Sequence, residues 1–290
     1  MIKKHKLIKK LQNSLLIILV LLSILLLKSL LNTKQSIPNP REINVHFIDV
    51  GQGDAILVQV NSKNLLIDSG PRDEKEKLIN YLDSVYIPQF DYIIATHPHE
   101  DHIGNMDYII NNYKVLNFYA PKVTTDTVSF ENMAEALTRK NLKLKILKAN
   151  NTTINLGYNT LVEVFSPNLD TYDNLNNYSP IIKITYGSTS FLFTGDAENE
   201  IEEEVISKYS NLKSDVLKIG HHGSSTSSSL EFLKAVNPKI SIISVGKNNT
   251  YGHPTKETLE KLKDTTLFRT DKNNSIVISS DGKSIKYSNK

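Results

Sequence analysis

The stretch Asp91-Tyr-Ile-Ile-Ala-Thr-His97-Pro-His99-Glu100-Asp101-His102 sets an apolar run directly before three imidazoles and a carboxylate packed within six residues. The run 91–95 reads as a buried strand, and the loop after a strand lies at the rim of its sheet, where sites are often built. Protonated, the three histidines would repel one another; neutral, they are nitrogen ligands ready for a cation. The i, i+2 spacing turns His97 and His99 to one side of an extended loop. Asp101 and His102 lie further along and are placed to serve a second ion. Three of the chain's eight histidines sit here, which a chance polar surface loop explains poorly.

Around this stretch, strand and helix patterns alternate. Short apolar or alternating runs at 45–50, 55–60 and 64–68 read as strands, and leucines and isoleucines at helical spacing mark a helix over 73–84. Further helices are expected at 105–112, 130–140, 198–209, 228–236 and 255–263. Strands are expected at 115–119, 144–147, 161–165, 181–186, 190–194, 216–219, 240–245, 266–270, 275–279 and 284–287. Two strand-rich halves with helices between them imply two packed sheets flanked by helices, in one domain covering 43–290.

The first residues differ from the rest. Residues 1–13 form a basic leader with Lys3, Lys4, Lys6, Lys9 and Lys10 and no acid, followed by a nearly unbroken apolar stretch over 14–31. A spanning helix needs roughly 20 apolar residues, and Lys28 can snorkel to the interface. The lysines ahead of the stretch hold the N-terminus in the cytoplasm. Residues after the apolar stretch show no small-x-small cleavage site, so an uncleaved single-pass anchor is expected over a cleaved leader. Residues 32–42, polar with Pro38 and Pro40, read as a linker.

Composition narrows the chemistry. There is no cysteine, so disulfides and thiolate metal sites are excluded, and any ion must be held by imidazole and carboxylate. The net charge of +3 belongs to the leader and apolar stretch: without residues 1–32 the chain has 28 basic and 31 acidic residues. The domain as a whole therefore gives no electrostatic case for binding nucleic acid.

Other residues join the candidate site. The adjacent pair in His221-His222-Gly223-Ser224 follows the apolar run 216–219, and the residues alone do not say which histidine is a ligand and which meets substrate. Asp196, in Thr194-Gly195-Asp196, taken alone fits a turn or cap as well as a ligand. Asp49, Asp54 and Asp68 sit at strand ends, where a carboxylate can orient a ligand imidazole; Asp54, beside Gly53, fits a turn residue equally. His253, in Tyr251-Gly-His-Pro254, is a candidate proton donor to a leaving group, and Ser224 a candidate contact for a developing negative charge. His46, inside a strand, and His5, in the leader, read as structural.

His97-Pro-His99-Glu-Asp101-His102 resembles the HxHxDH signature of the metallo-β-lactamase-fold superfamily. The segments 45–55 (Val-His-Phe-Ile-Asp-Val-Gly-Gln-Gly-Asp-Ala), 66–70 (Leu-Ile-Asp-Ser-Gly), 191–197 (Phe-Leu-Phe-Thr-Gly-Asp-Ala), 217–224 (Leu-Lys-Ile-Gly-His-His-Gly-Ser) and 251–254 resemble, in the same order, the metallo-β-lactamase-like domain of ComEC-type DNA-uptake proteins. The resemblance implies an α/β (α+β) fold, an αββα sandwich preceded here by one transmembrane helix. It implies two divalent metal ions, zinc or manganese. His97 and His99 would bind the first, Asp101, His102 and one of His221 and His222 the second, with Asp196 bridging. One departure stands out: the broader superfamily places another histidine between Asp101-His102 and Asp196, whereas no histidine occurs from Ile103 to Gly220. The corresponding stretch, 174–179 (Asn-Leu-Asn-Asn-Tyr-Ser), holds Asn176, Asn177 and Ser179, and ComEC-type domains also tend to carry Asn and Ser there. An amide or hydroxyl oxygen is a weaker zinc ligand than imidazole, so these residues would either weaken the first site or belong to an ordinary loop.

The expected function is an extracytoplasmic, membrane-anchored metal-dependent phosphodiesterase or nuclease acting on DNA, with Asp101 as ligand and proton acceptor. The same motifs resemble phosphorylcholine esterases of teichoic acids, so a cell-wall phosphodiester is the alternative substrate. A catalytically weak tethered binding protein is the alternative of another class. Nothing in the sequence marks an obligate protein partner.

Overall fold

The computed structural model describes residues 13–23, 38–39 and 41–289. Residues 13–23 are helical and lie in a unit separate from the domain that begins at Ile37. No helix among the described residues is long and apolar enough to cross a membrane. Of the anchor expected over 14–31, residues 24–31 lie outside the described residues, as do the leader residues 1–12 and most of the linker.

The domain holds two sheets. In the eight-stranded sheet the order is β14-β13-β1-β2-β3-β4-β5-β6, built from β1 (Ile43–Phe47), β2 (Ile56–Val60), β3 (Lys63–Ile67), β4 (Tyr92–Ile94), β5 (Phe118–Ala120), β6 (Leu144–Ile146), β13 (Ile276–Ser280) and β14 (Ile285–Asn289). The six-stranded sheet runs β12-β11-β10-β9-β8-β7, from β7 (Thr160–Val164), β8 (Ile182–Tyr186), β9 (Thr189–Phe193), β10 (Val216–Lys218), β11 (Ile240–Ile243) and β12 (Thr266–Arg269).

Alternation along the strands makes four layers. In β3, Leu65 and Ile67 face the core between the sheets while Leu66 faces outward. In β9, Phe191 and Phe193 point inward and Leu192 outward. Because side chains alternate faces, a strand apolar on both must be covered on both. The outer face of the first sheet packs under helices Lys75–Asp83, Met106–Asn112 and Val128–Arg139 through Leu78, Met106, Ile109 and Met133. The outer face of the second packs under Asn199–Lys208 and Leu230–Val236 through Ile201, Val205 and Phe232. This is the expected αββα sandwich, with strand positions within about three residues of those read from the sequence.

Within each sheet a block of strands is parallel: β3, β4, β5 and β6 in one, β9, β10, β11 and β12 in the other. Their carboxyl ends carry the chemistry-bearing turns, as is usual where ligands bind beyond the ends of parallel strands. Asp68 follows β3, His97 follows β4, Asp196 follows β9 and His222 follows β10.

Candidate metal centre

His99 is the extended residue ahead of the four-residue helix Glu100–Ile103, and Asp101 and His102 lie on its first turn. Asp196 enters by the turn after β9, where Gly195 adopts φ +51 and a Cβ would press on Ser179 and Thr96. His221 and His222 both take left-handed backbone angles, φ 48 and φ 52. For non-glycine residues each such conformation costs on the order of 1 kcal/mol, and it persists where the surroundings dictate it. The turn sends the adjacent imidazoles in different directions, His222 to Asp101 and Asp196 and His221 to Glu198.

The turn settles which histidine joins the cluster. Asp101, His102, Asp196 and His222 each offer a ligand atom within 4.8 Å of the others. His222 Nε2 lies 3.2 Å from Asp101 Oδ2 and 3.5 Å from Asp196 Oδ2. His221 stands outside: its Nε2 is 3.8 Å from Asp196, and its Nδ1 faces Glu198 at 3.4 Å and Thr226 Oγ1 at 3.3 Å. His97 Nε2 and His99 Nδ1 face one another at 3.0 Å, with Asp196 Oδ2 at 3.8 Å from His97. The two histidines expected to hold one ion are thus adjacent, but their half of the site is looser than the other.

Hydrogen bonds outside the cluster fix the ring tautomers. Asp68 is fully buried and accepts from Thr96 N–H at 2.8 Å, from the Thr96 hydroxyl at 2.7 Å and from His102 Nδ1–H at 2.8 Å. The Thr96 hydroxyl, having given its proton to Asp68, accepts from His97 Nδ1–H at 3.1 Å. His222 Nδ1–H donates to the Ser244 carbonyl at 3.0 Å. In their neutral form all three rings therefore turn Nε2 inward as an acceptor. His102 Nε2 meets Asp196 Oδ2 at 3.2 Å and Asp101 Oδ2 at 3.8 Å. His102 Nε2 and Asp196 Oδ1 are buried without a hydrogen-bond partner. Acceptors that converge in a dry site repel unless a cation lies among them, and a set of two imidazoles and two carboxylates suits a divalent ion.

In the metal-free chain, protons substitute for that cation. Burial alone would lower His102, but the Asp196, Asp101 and Asp68 carboxylates raise it well above 6.5. His222 is raised the same way, chiefly by Asp196 against the cost of burial. Burial would raise Asp196, yet His102 and His222 hold it well below the ordinary carboxylate value, and Asp101 is lowered by the same neighbours against its own burial. Burial, helped by the charge on His102, pushes His97 well below 6.5, and burial lowers His99. Burial raises Asp68, opposed by His102.

The remaining candidates divide. Asp54 is buried beside the cluster, with Oδ1 3.5 Å from His222 Nδ1. His253 stands one ring further out, its centroid 5.6 Å from that of His221. Burial lowers its pKa, as do His221 and His222. Ser224 is bound up in its own turn through Thr226, 3.1 Å away. Asp49 is a correction: its carboxylate accepts from Gly51 N–H and reaches no ligand, so it is a turn residue. Asn177 donates its amide to Glu200 at 2.7 Å and accepts from Glu198 N–H, which braces the start of helix Asn199–Lys208, whereas Asn176 donates its amide to Glu198 at 3.3 Å and keeps its own oxygen buried without a hydrogen-bond partner. The residue of that loop that reaches the centre is Ser179, whose hydroxyl lies 3.3 Å from His97 Nδ1 and accepts from Asp196 N–H. Glu198 carried no signal of its own in the sequence, whereas Thr96 directly precedes the histidine run and Ser179 ends the stretch 174–179.

Beside Asp101 a cleft of about 480 Å³ opens, bordered by Asp73, Glu74, Glu100 and Asp271 and by Lys77 and Lys247.

Comparison with known proteins agrees with this geometry. The metallo-beta-lactamase superfamily profile matches residues 48–247. ComE operon protein 3 of Bacillus subtilis (strain 168) is 34% identical over 256 residues, covering 81% of this chain and 33% of that protein. Competence protein ComA of Neisseria gonorrhoeae is 27% identical over 266 residues, 86% of this chain and 34% of that one. The chain thus spans about a third of the length of these curated relatives. The metallo-beta-lactamase fold protein YhfI of Bacillus subtilis superposes with a TM-score of 0.52 at 14% identity, over 77% of this chain and 95% of that one, a likeness of fold alone.

Proposed function

The chain belongs to the metallo-β-lactamase superfamily, and from that premise we propose that it is a membrane-anchored, metal-dependent phosphodiesterase that cuts DNA outside the cytoplasm. The observation that carries the hydrolytic reading is the convergence of imidazole nitrogens and carboxylate oxygens from Asp101, His102, Asp196 and His222. His97 and His99 would hold one ion, Asp101, His102 and His222 the other, with Asp196 between them. When bound, a pair of zinc or manganese ions supplies a water of lowered pKa and a Lewis acid for a phosphoryl oxygen.

The chain's own residues do the rest. Asp68 locks His102 directly and His97 through Thr96, so their nitrogens need no reorganisation. Asp101 keeps 32% of its side chain exposed at the cleft, where it can take a proton from the attacking water. His221, braced by Glu198 and Thr226, faces the approach to Asp196 and can donate to a phosphoryl oxygen. His253, kept toward neutrality by burial, offers an N–H to the leaving group.

DNA as substrate is supported by the competence proteins among the relatives. The anchor is supported by the lysine-rich leader and by the exposed apolar side chains of the helical residues 15–22. The acidic cleft beside Asp101 gives a polyanion no help, so the ions must hold it. That same cleft favours a second reading, a cell-wall phosphodiester bearing a cationic group such as choline.

The test uses the detergent-solubilised full chain with added Mn²⁺ or Zn²⁺. DNA should be degraded, and His99→Ala should abolish the activity. Cleavage of a choline phosphodiester with DNA intact would establish the second reading. Bound ions with neither substrate cut would leave a binding protein.

A further inference from the structure

Lys218 is fully buried at the end of β10. Its ammonium donates to Asp54 Oδ2 at 2.8 Å and to the Ile219 carbonyl at 3.0 Å. An interior ammonium is costly to desolvate, and a partner carboxylate offsets that cost only when the geometry is good. A neutral apolar residue would fill a strand end at no such cost, so packing alone does not account for a lysine here.

Asp54 ties together the Asp101, His102 and His222 half of the centre. Its N–H donates to the Asp101 carbonyl at 3.2 Å, and its own carbonyl accepts from Gly70 N–H beside Asp68. Gly53, at φ +153, permits that approach, because a Cβ there would collide with the Asp101 carbonyl. The two carboxylate oxygens then divide: Oδ2 is held by Lys218, and Oδ1, which has no other hydrogen-bond partner, faces His222 Nδ1 at 3.5 Å. Asp54, Asp68 and His102 also offer ligand atoms within 4.8 Å of one another. With Asp54 paired to Lys218 and Asp68 to His102 and Thr96, that second group already has its positive partner built into the chain.

We propose that Lys218 is a positioning residue: it holds Asp54 so that a carboxylate lies beside the outer nitrogen of His222, whose proton goes to the Ser244 carbonyl, and so that the Asp54 N–H grips the Asp101 carbonyl. His222 Nε2 and Asp101 are thereby kept aimed at one another and the site tight for its divalent ion. This rests on the reading of the cluster as a metal centre. Lys218 touches no ligand itself. It acts along the line Lys218, Asp54, His222, and Asp54 couples the same line to the backbone of Asp101.

The test is competition of the full chain against a chelator for Zn²⁺, read as affinity and stoichiometry, with the melting temperature of the metal-free chain in parallel. Lys218→Met and Asp54→Asn should each weaken the tighter ion about 10–100-fold, as loss of a group that orients a ligand does. The double variant should be no weaker than the worse single one, because both act on one line. Co²⁺ bound to Asp54→Asn should show a shifted absorption spectrum. Asp54→Asn preserves shape and decides the matter should Lys218→Met fail to fold. Unchanged affinity with only a lowered melting temperature would make Lys218 a folding residue and overturn the proposal. A wild-type chain that takes up no ion would overturn the metal centre itself, an outcome distinct from equal uptake by wild type and variants.

Discussion

Replacing Asp68 by asparagine tests the tautomer logic with almost no change of volume. Asp68 accepts three hydrogen bonds, from Thr96 N–H, the Thr96 hydroxyl and His102 Nδ1–H. An asparagine has one oxygen and one NH₂. With the oxygen toward Thr96 N–H, the amide faces His102 Nδ1–H; flipped, it faces the backbone N–H. Either way a buried donor confronts a donor, at a cost of about 1–3 kcal/mol. The relief open to His102 is to give up its Nδ1 proton and keep the one on Nε2, which donates to Asp196 Oδ2, 3.2 Å away. That proton occupies the lone pair an ion needs. The metal-free variant should therefore lose little stability, while ion affinity should fall about 10–100-fold, since each factor of ten corresponds to about 1.4 kcal/mol. Chelator competition measures the affinity, and urea denaturation with and without Zn²⁺ measures the stability. Affinity within about twofold of wild type in a folded variant would refute the reasoning.

The paired histidines should separate cleanly. His222→Ala should lose one ion per chain, whereas His221→Ala should keep its ions and lose turnover by about 10²–10⁴-fold, measured by metal content and steady-state kinetics. Gly53→Ala puts a methyl against the Asp101 carbonyl and 2.8 Å from Pro71 Cδ; it should destabilise the chain by about 1–3 kcal/mol and weaken ion binding, read by denaturation and competition. In the metal-free chain, His102 is raised well above 6.5, so its stabilisation is complete below pH 6.5 and lost as pH rises through the folded value. His97, held below 6.5, contributes oppositely: its stabilisation is present above pH 6.5 and is lost as pH falls through the folded value. Urea melts from pH 6.5 upward should show stability falling in the wild type and a shallower fall in His102→Gln, with the remaining slope from His222.

The sequence reveals most of this centre because ligands at strand ends leave local marks. An apolar run ending in His97-Pro-His99 announces its own geometry, and Asp68 and Asp196 follow strands whose alternation is plain. The choice between His221 and His222 was not legible, since it depends on two successive left-handed residues that send adjacent rings apart. Asn176 and Asn177 stood where a ligand might be sought, but Glu198 and Glu200, distant in sequence, decide their roles: Asn177 has both ends of its amide engaged, and Asn176 only its NH₂. Ser179 and Lys218 lie in stretches 174–179 and 217–224 that the sequence singles out, but their contacts with His97 and Asp54 are tertiary and no local pattern gives them. Asp49 looked like Asp54 in sequence, yet the intervening Gly51-Gln52-Gly53 turn leaves one capping a loop and the other against His222.

The central question is whether Asp101, His102, Asp196 and His222 hold a divalent ion. Metal analysis of the purified full chain after equilibration with Zn²⁺, beside Asp196→Ala, addresses it most directly. Two ions per wild-type chain and fewer than one in the variant is the expected result. Equal content in both, or no ion retained by the wild type, would contradict it.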